Sequence, residues 1–171
     1  MEDNLILVNE HDEQIGIMGK LLAHQLGRLH RAFSIFIFNH QGQLLIQQRA
    51  FHKYHSAGQW TNSCCSHPKP NEDTLKAAER RLKEELGFVT PLTHVGSIIY
   101  HAKVSGGLIE YEFDHIFIGY YDQCVTPNTD EVNSIRWVFP SELIQEVAQC
   151  PDKFTPWFKK IQEKYPLLNF N

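Results

Sequence analysis

The fold is decided by one stretch, residues 66–88, which reads SHPKPNEDTLKAAERRLKEELGF. Apolar residues recur in it at helical spacing, at Leu75, Ala78, Leu82 and Leu86. Asn71 or Asp73 can cap the start of a helix, and Gly87 stands where a left-handed C-terminal cap belongs. The spacing therefore predicts a helix over 71–86.

Strand-like segments precede this helix. Residues 33–38 form a run of aromatic and β-branched side chains that ends at a turn signal, residues 39–42. The same pattern resumes over 44–49. The two segments and the short turn between them predict a β-hairpin.

The chain becomes strand-like again after the helix. The pattern predicts strands over 95–100, 108–121 and 134–139, with a turn at 105–107 between the first two. A helix is expected from Pro140 with Ser141 as its N-cap, and a last helix over 155–164 before Pro166. Strands around one central helix, flanked by other helices, predict an α+β (mixed α/β) fold in a single domain, residues 1–171.

Composition narrows the class of protein. The chain has 171 residues, and 16 Lys plus Arg against 20 Asp plus Glu give a net charge of −4. This charge argues against a broad nucleic-acid surface, and no apolar run approaches the roughly 18 residues of a membrane span. Acidic residues at positions 2 and 3 are not typical of a secretory signal. We expect a soluble, cytoplasmic protein that binds neither nucleic acid nor membrane.

The cysteines follow no structural pattern. They stand at Cys64, Cys65, Cys124 and Cys150. They form neither a disulfide framework nor the paired knuckles of a zinc ribbon, and adjacent cysteines cannot close an unstrained disulfide. Reduced thiols are expected, with Cys64 buried as an apolar residue.

Residues 66–88 resemble the Nudix box, G-x₅-E-x₇-R-E-U-x-E-E-x-G-U, in which U is a bulky apolar residue. The matching positions are Glu72, Arg80, Leu82, Glu84, Glu85, Gly87 and Phe88. Nudix proteins use carboxylates of this loop–helix–loop to hold a divalent metal on a diphosphate. The resemblance implies a Nudix-type fold, in which a mixed β-sheet packs against a central box helix and flanking helices.

Two positions depart from the box. Ser66 replaces the leading glycine, and Arg81 replaces the glutamate that hydrolytic members use at a metal. A cation in place of that carboxylate argues against cleavage of a diphosphate. Arg81 and Glu85 are one helical turn apart on the same face, so one can pair with a phosphate oxygen while the other holds the metal that neutralises it.

A second motif begins at Trp60 and runs through residues 61–68, TNSCCSHP. It resembles the W-T-N-S-x-C-x-H-P segment of type I isopentenyl-diphosphate isomerases, Nudix-fold enzymes that do not hydrolyse. Matching segments continue along most of the chain, at 20–33, 49–53, Tyr100, 110–112, 130–132 and 156–157. The implied reaction moves a double bond by one carbon, converting isopentenyl diphosphate into dimethylallyl diphosphate.

Five residues are candidate ligands of a first metal. Glu110 and Glu112 are two apart in a predicted strand, so both carboxylates point to one face. His24, His30 and His67 add three imidazoles from loops or strand ends, which suggests five or six ligands. The resemblance makes these five residues a divalent-metal site for zinc, manganese or magnesium. The remaining histidines are expected to be ordinary, namely His11, His40, His52, His55, His94, His101 and His115.

The resemblance also implies a diphosphate site. A second metal, Mg²⁺, is expected to arrive with the substrate and to bridge the diphosphate and Glu85. Four cations occupy the family's diphosphate-binding positions: Lys20, Arg49, Lys53 and Arg81. They would compensate the charge of a head group that must be bound without being broken.

The catalytic residues implied are Cys65, Glu112, Tyr100 and Trp157. Protonation of an alkene gives a tertiary carbocation, which needs a positioned acid, a dry pocket and electron-rich walls. The indole of Trp157 can stabilise that cation. Cys65 and Glu112 form the acid–base pair on opposite faces of the substrate. The sequence-based hypothesis makes Glu112, helped by Tyr100 and the metal, the proton donor and Cys65 the base.

Two other functions fit part of the sequence. A Nudix hydrolase of a nucleoside diphosphate derivative would explain the box glutamates but would leave Cys65 and Trp157 without a role, and Arg81 argues against it. A non-catalytic metal- or diphosphate-binding module would not need an acid–base pair. The expected partner is a small isoprenoid diphosphate, bound by a monomer or weak homodimer.

Overall fold

A computed structural model describes residues 3–166. Within this range the strands are β1 Asn4–Val8, β2 Gln14–Gly19, β3 His30–Phe38, β4 Leu44–Arg49, β5 Trp60–Thr61, β6 Cys64–Ser66, β7 Thr93–Val104, β8 Leu108–Tyr120 and β9 Val132–Val138. The helices are α1 Lys20–Leu26, α2 Thr74–Leu86, α3 Pro140–Gln149 and α4 Pro156–Lys164. Short 3₁₀ turns lie at Ser105–Gly107 and Pro151–Lys153.

β3 is the strand around which the sheet is organised. It pairs in parallel with β8 along its whole length, from His30 beside Glu112 to Phe38 beside Tyr120. On its other side it pairs antiparallel with β6, where Ser34 lies beside Cys65. The sheet is therefore mixed, as expected, and its register brings residues from three distant parts of the chain to one place.

Two layers of helices cover the sheet. On one face, buried residues of β3 such as Phe33 and Ile35 pack in one cluster with Ala78 and Leu82 of α2. On the other face, Phe36 packs in a second cluster with residues of α3 and α4. Because side chains of a strand alternate between faces, the even-numbered residues of β3 face α3 and α4.

The helix over the box has the caps that the sequence predicts. The Asp73 side chain accepts a hydrogen bond from the Lys76 amide at 3.1 Å and is the N-cap. Gly87 ends the helix in the left-handed region with φ 79°. A Cβ at this position would lie 2.7 Å from the Thr126 carbonyl oxygen, so this turn requires glycine.

One strand prediction is confirmed only in part, and two local predictions are wrong. The segments 33–38 and 44–49 form an antiparallel hairpin at their turn, where Phe38 pairs with Leu44. The pairing is short because β6 lies beside residues 33–35 of β3 and β5 lies beside residues 47–48 of β4. The N-cap of α3 is Phe139 rather than Ser141, since Pro140 takes the first helical position. His24 lies on helix α1 and not on a loop or strand end.

The other elements lie close to their expected positions. The strands predicted over 95–100, 108–121 and 134–139 extend over 93–104, 108–120 and 132–138. The last helix begins at Pro156 after the N-cap Thr155. Among residues 3–166, no helix combines the length and apolarity needed to cross a membrane. Residues 167–171 lie outside the described residues.

Candidate active site

A cavity of about 470 Å³ opens at the His30 end of β3. Its walls include most of the residues that the sequence selects, namely Lys20, Arg49, Lys53, Cys65, His67, Arg81, Glu85, Tyr100, Glu110, Glu112 and Trp157. The fold gathers them from helices α1, α2 and α4, from strands β4, β6, β7 and β8, and from the loops that follow β4 and β6. His24 and His30 are fully buried behind the wall, against Glu110 and Glu112.

The predicted metal ligands form one buried cluster. The Nε2 atom of His24 lies 3.3 Å from Oε1 of Glu110. Oε1 of Glu112 lies 3.4 Å from Nε2 of His30 and 3.0 Å from Nε2 of His67. The ligand atoms of His24, His30, His67 and Glu112 all lie within 4.8 Å of one another.

Hydrogen bonds fix which nitrogen of two histidines faces the cluster. Nδ1 of His24 lies 2.7 Å from the Lys20 carbonyl oxygen, and Nδ1 of His30 lies 2.9 Å from that of Arg28. Each Nδ1–H therefore donates to backbone, which leaves each Nε2 lone pair facing a carboxylate oxygen. Two facing acceptors repel unless a cation or proton lies between them.

Buried polar atoms without a hydrogen-bond partner also indicate that this cluster binds a cation. Nε2 of His24, Nε2 of His30 and Oε2 of Glu110 are buried and lack a hydrogen-bond partner. Imidazole nitrogens and carboxylate oxygens are ligands of divalent zinc and manganese. The residues therefore fit a divalent metal, and these three atoms would bind it.

Electrostatics in this cluster keep the carboxylate of Glu112 ionised. Burial opposes ionisation, but the adjacent His30 imidazole and the hydrogen bond from the Tyr100 hydroxyl lower the pKa of Glu112 below its usual value. The pKa of His67 is lowered by burial and by the neighbouring His30, which leaves a neutral imidazole able to bind a metal. The pKa of His24 is raised in spite of burial, because Glu110 stabilises the proton that substitutes for a cation.

Cys65 lies at the side of the cavity opposite β8. Its thiol donates to Oδ1 of Asn62 at 3.0 Å and accepts a hydrogen bond from Nε1 of Trp157 at 3.1 Å. Burial is the main cause that raises the pKa of Cys65 to about 12. The thiol therefore carries its proton at neutral pH.

Tyr100 and Glu112 form the opposite side of the cavity. The Tyr100 hydroxyl donates to Oε2 of Glu112 at 2.6 Å, and both side chains are buried. Asp114 continues the same face of β8 two residues further, where the Ser34 hydroxyl donates to Oδ2 at 2.7 Å. Burial and the charge of Glu112 raise the pKa of Asp114, so this carboxyl holds its proton.

The four predicted cations lie around one mouth of the cavity. Burial lowers the pKa of Lys20, and Lys53, Arg49 and Arg81 lower it further by repulsion. The Arg49 guanidinium lies over the Trp157 ring, 5.1 Å from its centroid. This concentration of positive charge next to an aromatic wall suits a ligand with an anionic head and an apolar body.

The box helix α2 carries an ion pair that holds the preceding loop, the Glu72–Arg80 clamp, and a cation at the cavity, Arg81. Glu72 accepts two hydrogen bonds from the Arg80 guanidinium, at 2.7 and 2.9 Å, which ties the loop before α2 to the helix. Arg81 approaches Glu85 at 3.7 Å, consistent with their spacing of one turn. The Cys64 thiol donates to Oε2 of Glu85 at 2.7 Å, so Cys64 is buried as predicted but is also hydrogen-bonded.

Comparison with known proteins gives the family. Residues 28–158 match the NUDIX domain family. The isopentenyl-diphosphate Delta-isomerase 2 of Photorhabdus laumondii is 53% identical over 161 residues, 94% of this chain and 91% of that protein. The isopentenyl-diphosphate Delta-isomerase of Serratia proteamaculans is 53% identical over 163 residues, 95% and 91% of the two chains. The chain belongs to the Nudix-type isopentenyl-diphosphate isomerase family.

Solved structures confirm the Nudix fold. A Deinococcus radiodurans protein superimposes with a TM-score of 0.77 and 20% identity, over 95% of this chain and 99% of that one. The MutT protein of Methanosarcina mazei gives a TM-score of 0.68 and 17% identity, over 84% and 96%. One fold supports different reactions, so these structural similarities establish the fold of this chain and not its reaction.

The structure adds residues that the sequence analysis passed over. His55, treated as ordinary, is buried with Nε2 2.8 Å from Oε1 of Glu110. Asp114 extends the series Glu110, Glu112 along one face of β8, and its period of two was the signal that could have found it. Glu131 lies in the matching segment 130–132 but was given no role there, and it pairs with Lys53 and lies 3.5 Å from Arg81.

Proposed function

We propose that this chain isomerises isopentenyl diphosphate to dimethylallyl diphosphate, with Cys65 and Glu112 as the acid–base pair. The observation that carries the proposal is their placement in one cavity, Cys65 hydrogen-bonded to Trp157 and Glu112 to Tyr100. The family membership and the names of the relatives support the same substrate. The product keeps every atom of the carbon skeleton and the diphosphate.

The head group binds at the cationic mouth. Lys20, Arg49, Lys53 and Arg81 face the diphosphate oxygens, where charge-assisted hydrogen bonds are strongest. Glu85 is the carboxylate that would hold a Mg²⁺ ion bound with the diphosphate, and this ion would neutralise part of the head-group charge. With Arg81 where hydrolytic members carry a glutamate, these groups bind the diphosphate without preparing a water to attack it.

The carbon chain lies between the two sides of the cavity. A proton added to the terminal CH₂ turns it into a methyl group and leaves a tertiary cation on the branched carbon. Loss of a proton from the neighbouring CH₂, next to the carbon that bears the diphosphate, forms the new double bond. The Trp157 ring stabilises the cation between these two steps.

The protonation states of the pair support a direction opposite to the sequence-based hypothesis. Cys65 carries a proton because its pKa is raised to about 12, whereas the pKa of Glu112 is lowered. We therefore assign Cys65 as the donor to the alkene and Glu112 as the base. The Tyr100 hydroxyl orients Glu112 by its hydrogen bond to Oε2.

A divalent metal, zinc, manganese or magnesium, would be held by His24, His30, His67, Glu110 and Glu112. When bound, this ion supplies positive charge that keeps Glu112 ionised and fixed. The chain is proposed to act as one cytoplasmic domain, as a monomer or weak homodimer. Nothing in the geometry favours the nucleoside diphosphate hydrolase or the binding module over the isomerase.

The test is a product assay. The purified protein is incubated with isopentenyl diphosphate and Mg²⁺, and the products are separated by chromatography. The proposal expects dimethylallyl diphosphate and no released phosphate. Release of phosphate or a monophosphate would indicate a hydrolase, and tight binding without either product would indicate a binding module.

A further inference from the structure

Among the described residues, His55 is the one buried histidine that the family resemblance does not select. It lies in the loop between β4 and β5, it is 5% exposed, and Nε2 is 2.8 Å from Oε1 of Glu110. Glu110 is itself buried. A buried contact of this length between an imidazole and a carboxylate is a charge-assisted hydrogen bond.

The neighbours of His55 determine its tautomer. Nδ1 lies 3.2 Å from the Ser56 hydroxyl, which can donate to it. Nε2 then carries the hydrogen and donates to Glu110, which is an acceptor only. In this tautomer no lone pair of His55 is directed at the carboxylate, so the contact differs from the one that Nε2 of His24 makes with the same oxygen.

Because of this hydrogen bond, the two carboxylate oxygens of Glu110 have different partners. Oε1 accepts from His55, whereas Oε2 is buried and has no partner. The bond therefore restricts rotation of the carboxylate and leaves Oε2 as the oxygen free for a metal. Carboxylates that bind metals are commonly oriented by such an outer hydrogen bond.

Two hydrogen bonds of the loop backbone and one ring contact hold the His55 imidazole in place. The His55 carbonyl oxygen accepts a hydrogen bond from Arg49 at 3.2 Å, and the Ser56 amide donates to the Ser105 hydroxyl at 3.3 Å. The His55 ring also meets the Trp157 ring edge-on, with centroids 6.0 Å apart. Through its backbone and its ring, His55 thus contacts the cationic mouth, the aromatic wall and the carboxylate of Glu110.

We propose that His55 is a positioning residue that orients the Glu110 carboxylate for the metal. The inference deepens the proposed function, because it concerns the metal centre of that same site. It assigns a fourth histidine to the centre without making it a ligand. The alternative, direct binding of the metal by His24, His55 and Glu110, uses ligand atoms that also lie within 4.8 Å of one another.

The test measures metal affinity without substrate. Metal-stripped full-length protein competes with a chromophoric chelator for Zn²⁺ at fixed pH, and circular dichroism checks the fold of each variant. His55→Ala should weaken Zn²⁺ binding by about 10- to 100-fold, the usual effect of losing an outer hydrogen bond. His55→Gln, whose amide NH₂ can reach Oε1, should recover most of the affinity. His101→Ala, at an exposed histidine outside the cavity wall, is the matched control.

Two outcomes would contradict the assignment of His55 as a positioning residue. Unchanged affinity in His55→Ala would overturn the inference, and equal losses in His55→Gln and His55→Ala would identify a direct ligand instead. If the alanine variant does not fold, the comparison moves to His55→Gln against His55→Asn, whose shorter amide cannot reach Oε1 and should bind Zn²⁺ more weakly. No diphosphate is present, so failure of isomerase activity in the product assay would leave this result standing.

Discussion

The indole Nε1 of Trp157 donates a hydrogen bond to the Cys65 thiol at 3.1 Å. This contact joins the residue that would stabilise a carbocation to the residue that would supply its proton. It also fixes the thiol so that its own hydrogen is directed to Asn62, at 3.0 Å. In the proposed mechanism, the reacting carbon would therefore meet both groups on the same side of the cavity.

Replacement of Cys65 tests the acid–base pair. Cys65→Ala should lower kcat by about 10²–10⁴-fold, the range for loss of one positioned acid or base. The metal content should stay unchanged, because Cys65 is not among the metal-binding groups. Cys124→Ser, at an exposed cysteine, is the control and should keep full activity. Full activity in Cys65→Ala would exclude the proposed mechanism.

Replacement of Trp157 tests the aromatic wall. A desolvated cation–π contact contributes about 2 kcal/mol, so Trp157→Leu should lower kcat/KM by roughly 30-fold from this effect alone. Trp157→Phe keeps a ring but loses the hydrogen bond to Cys65, and its loss should be smaller. Trp137→Phe, on the opposite face of the sheet, serves as the control. Equal losses for Leu and Phe would show that the ring itself contributes nothing.

Arg81 distinguishes this box from that of a hydrolase. Arg81→Gln removes a cation from the diphosphate mouth and should raise KM by about 10-fold or more, with kcat changed much less. Steady-state kinetics with isopentenyl diphosphate measures both. Lys83→Gln, an exposed position on the same helix, should have no effect. A fall in kcat with constant KM would mean that Arg81 acts only in the transition state.

The Glu72–Arg80 clamp predicts how stability depends on pH. The Arg80 guanidinium lowers the pKa of Glu72 below its ordinary value, so the unfolded chain binds a proton at a higher pH than the folded chain does. The stabilisation is complete above about pH 4.5 and is lost as the pH falls through the folded pKa. Glu72→Gln should lower the free energy of unfolding at pH 7 by about 1–2 kcal/mol and flatten this acid slope.

Urea titrations at several pH values between 3 and 7 measure how steeply the free energy of unfolding falls as the pH is lowered. Glu79→Gln is the matched control, because Glu79 pairs with Lys76 on the exposed side of the same helix. Exposed pairs of this kind contribute about 0–1 kcal/mol, so this variant should remain close to the wild type. An acid slope in Glu72→Gln equal to that of the wild type would contradict the assignment.

The sequence predicts the box helix well because its signals are local. Asp73 and Gly87 act through bonds within their own helix ends, and these do not depend on the rest of the fold. The pairing of β3 with β8 could not be predicted this way. It depends on contacts between residues some 80 positions apart, such as His30 and Glu112, which no local pattern reveals.

The residues of the candidate site also differ in whether a local sequence signal predicts them. The residues taken from motifs, such as Cys65 and Glu112, meet in one cavity. His55 was missed because it lies in an irregular loop, where no periodicity shows which side chains point inward. Its role depends on a neighbour, Glu110, that is 55 positions away and reaches it only through the folded sheet.

The most direct test of the central claim is the reaction of isopentenyl diphosphate and Mg²⁺ in D₂O, followed by NMR. The account predicts dimethylallyl diphosphate with deuterium in a methyl group, because an acid in exchange with solvent protonates the terminal carbon. The Cys65→Ala variant should show neither product nor deuterium. Free phosphate in place of dimethylallyl diphosphate, or a product without deuterium, would contradict the account.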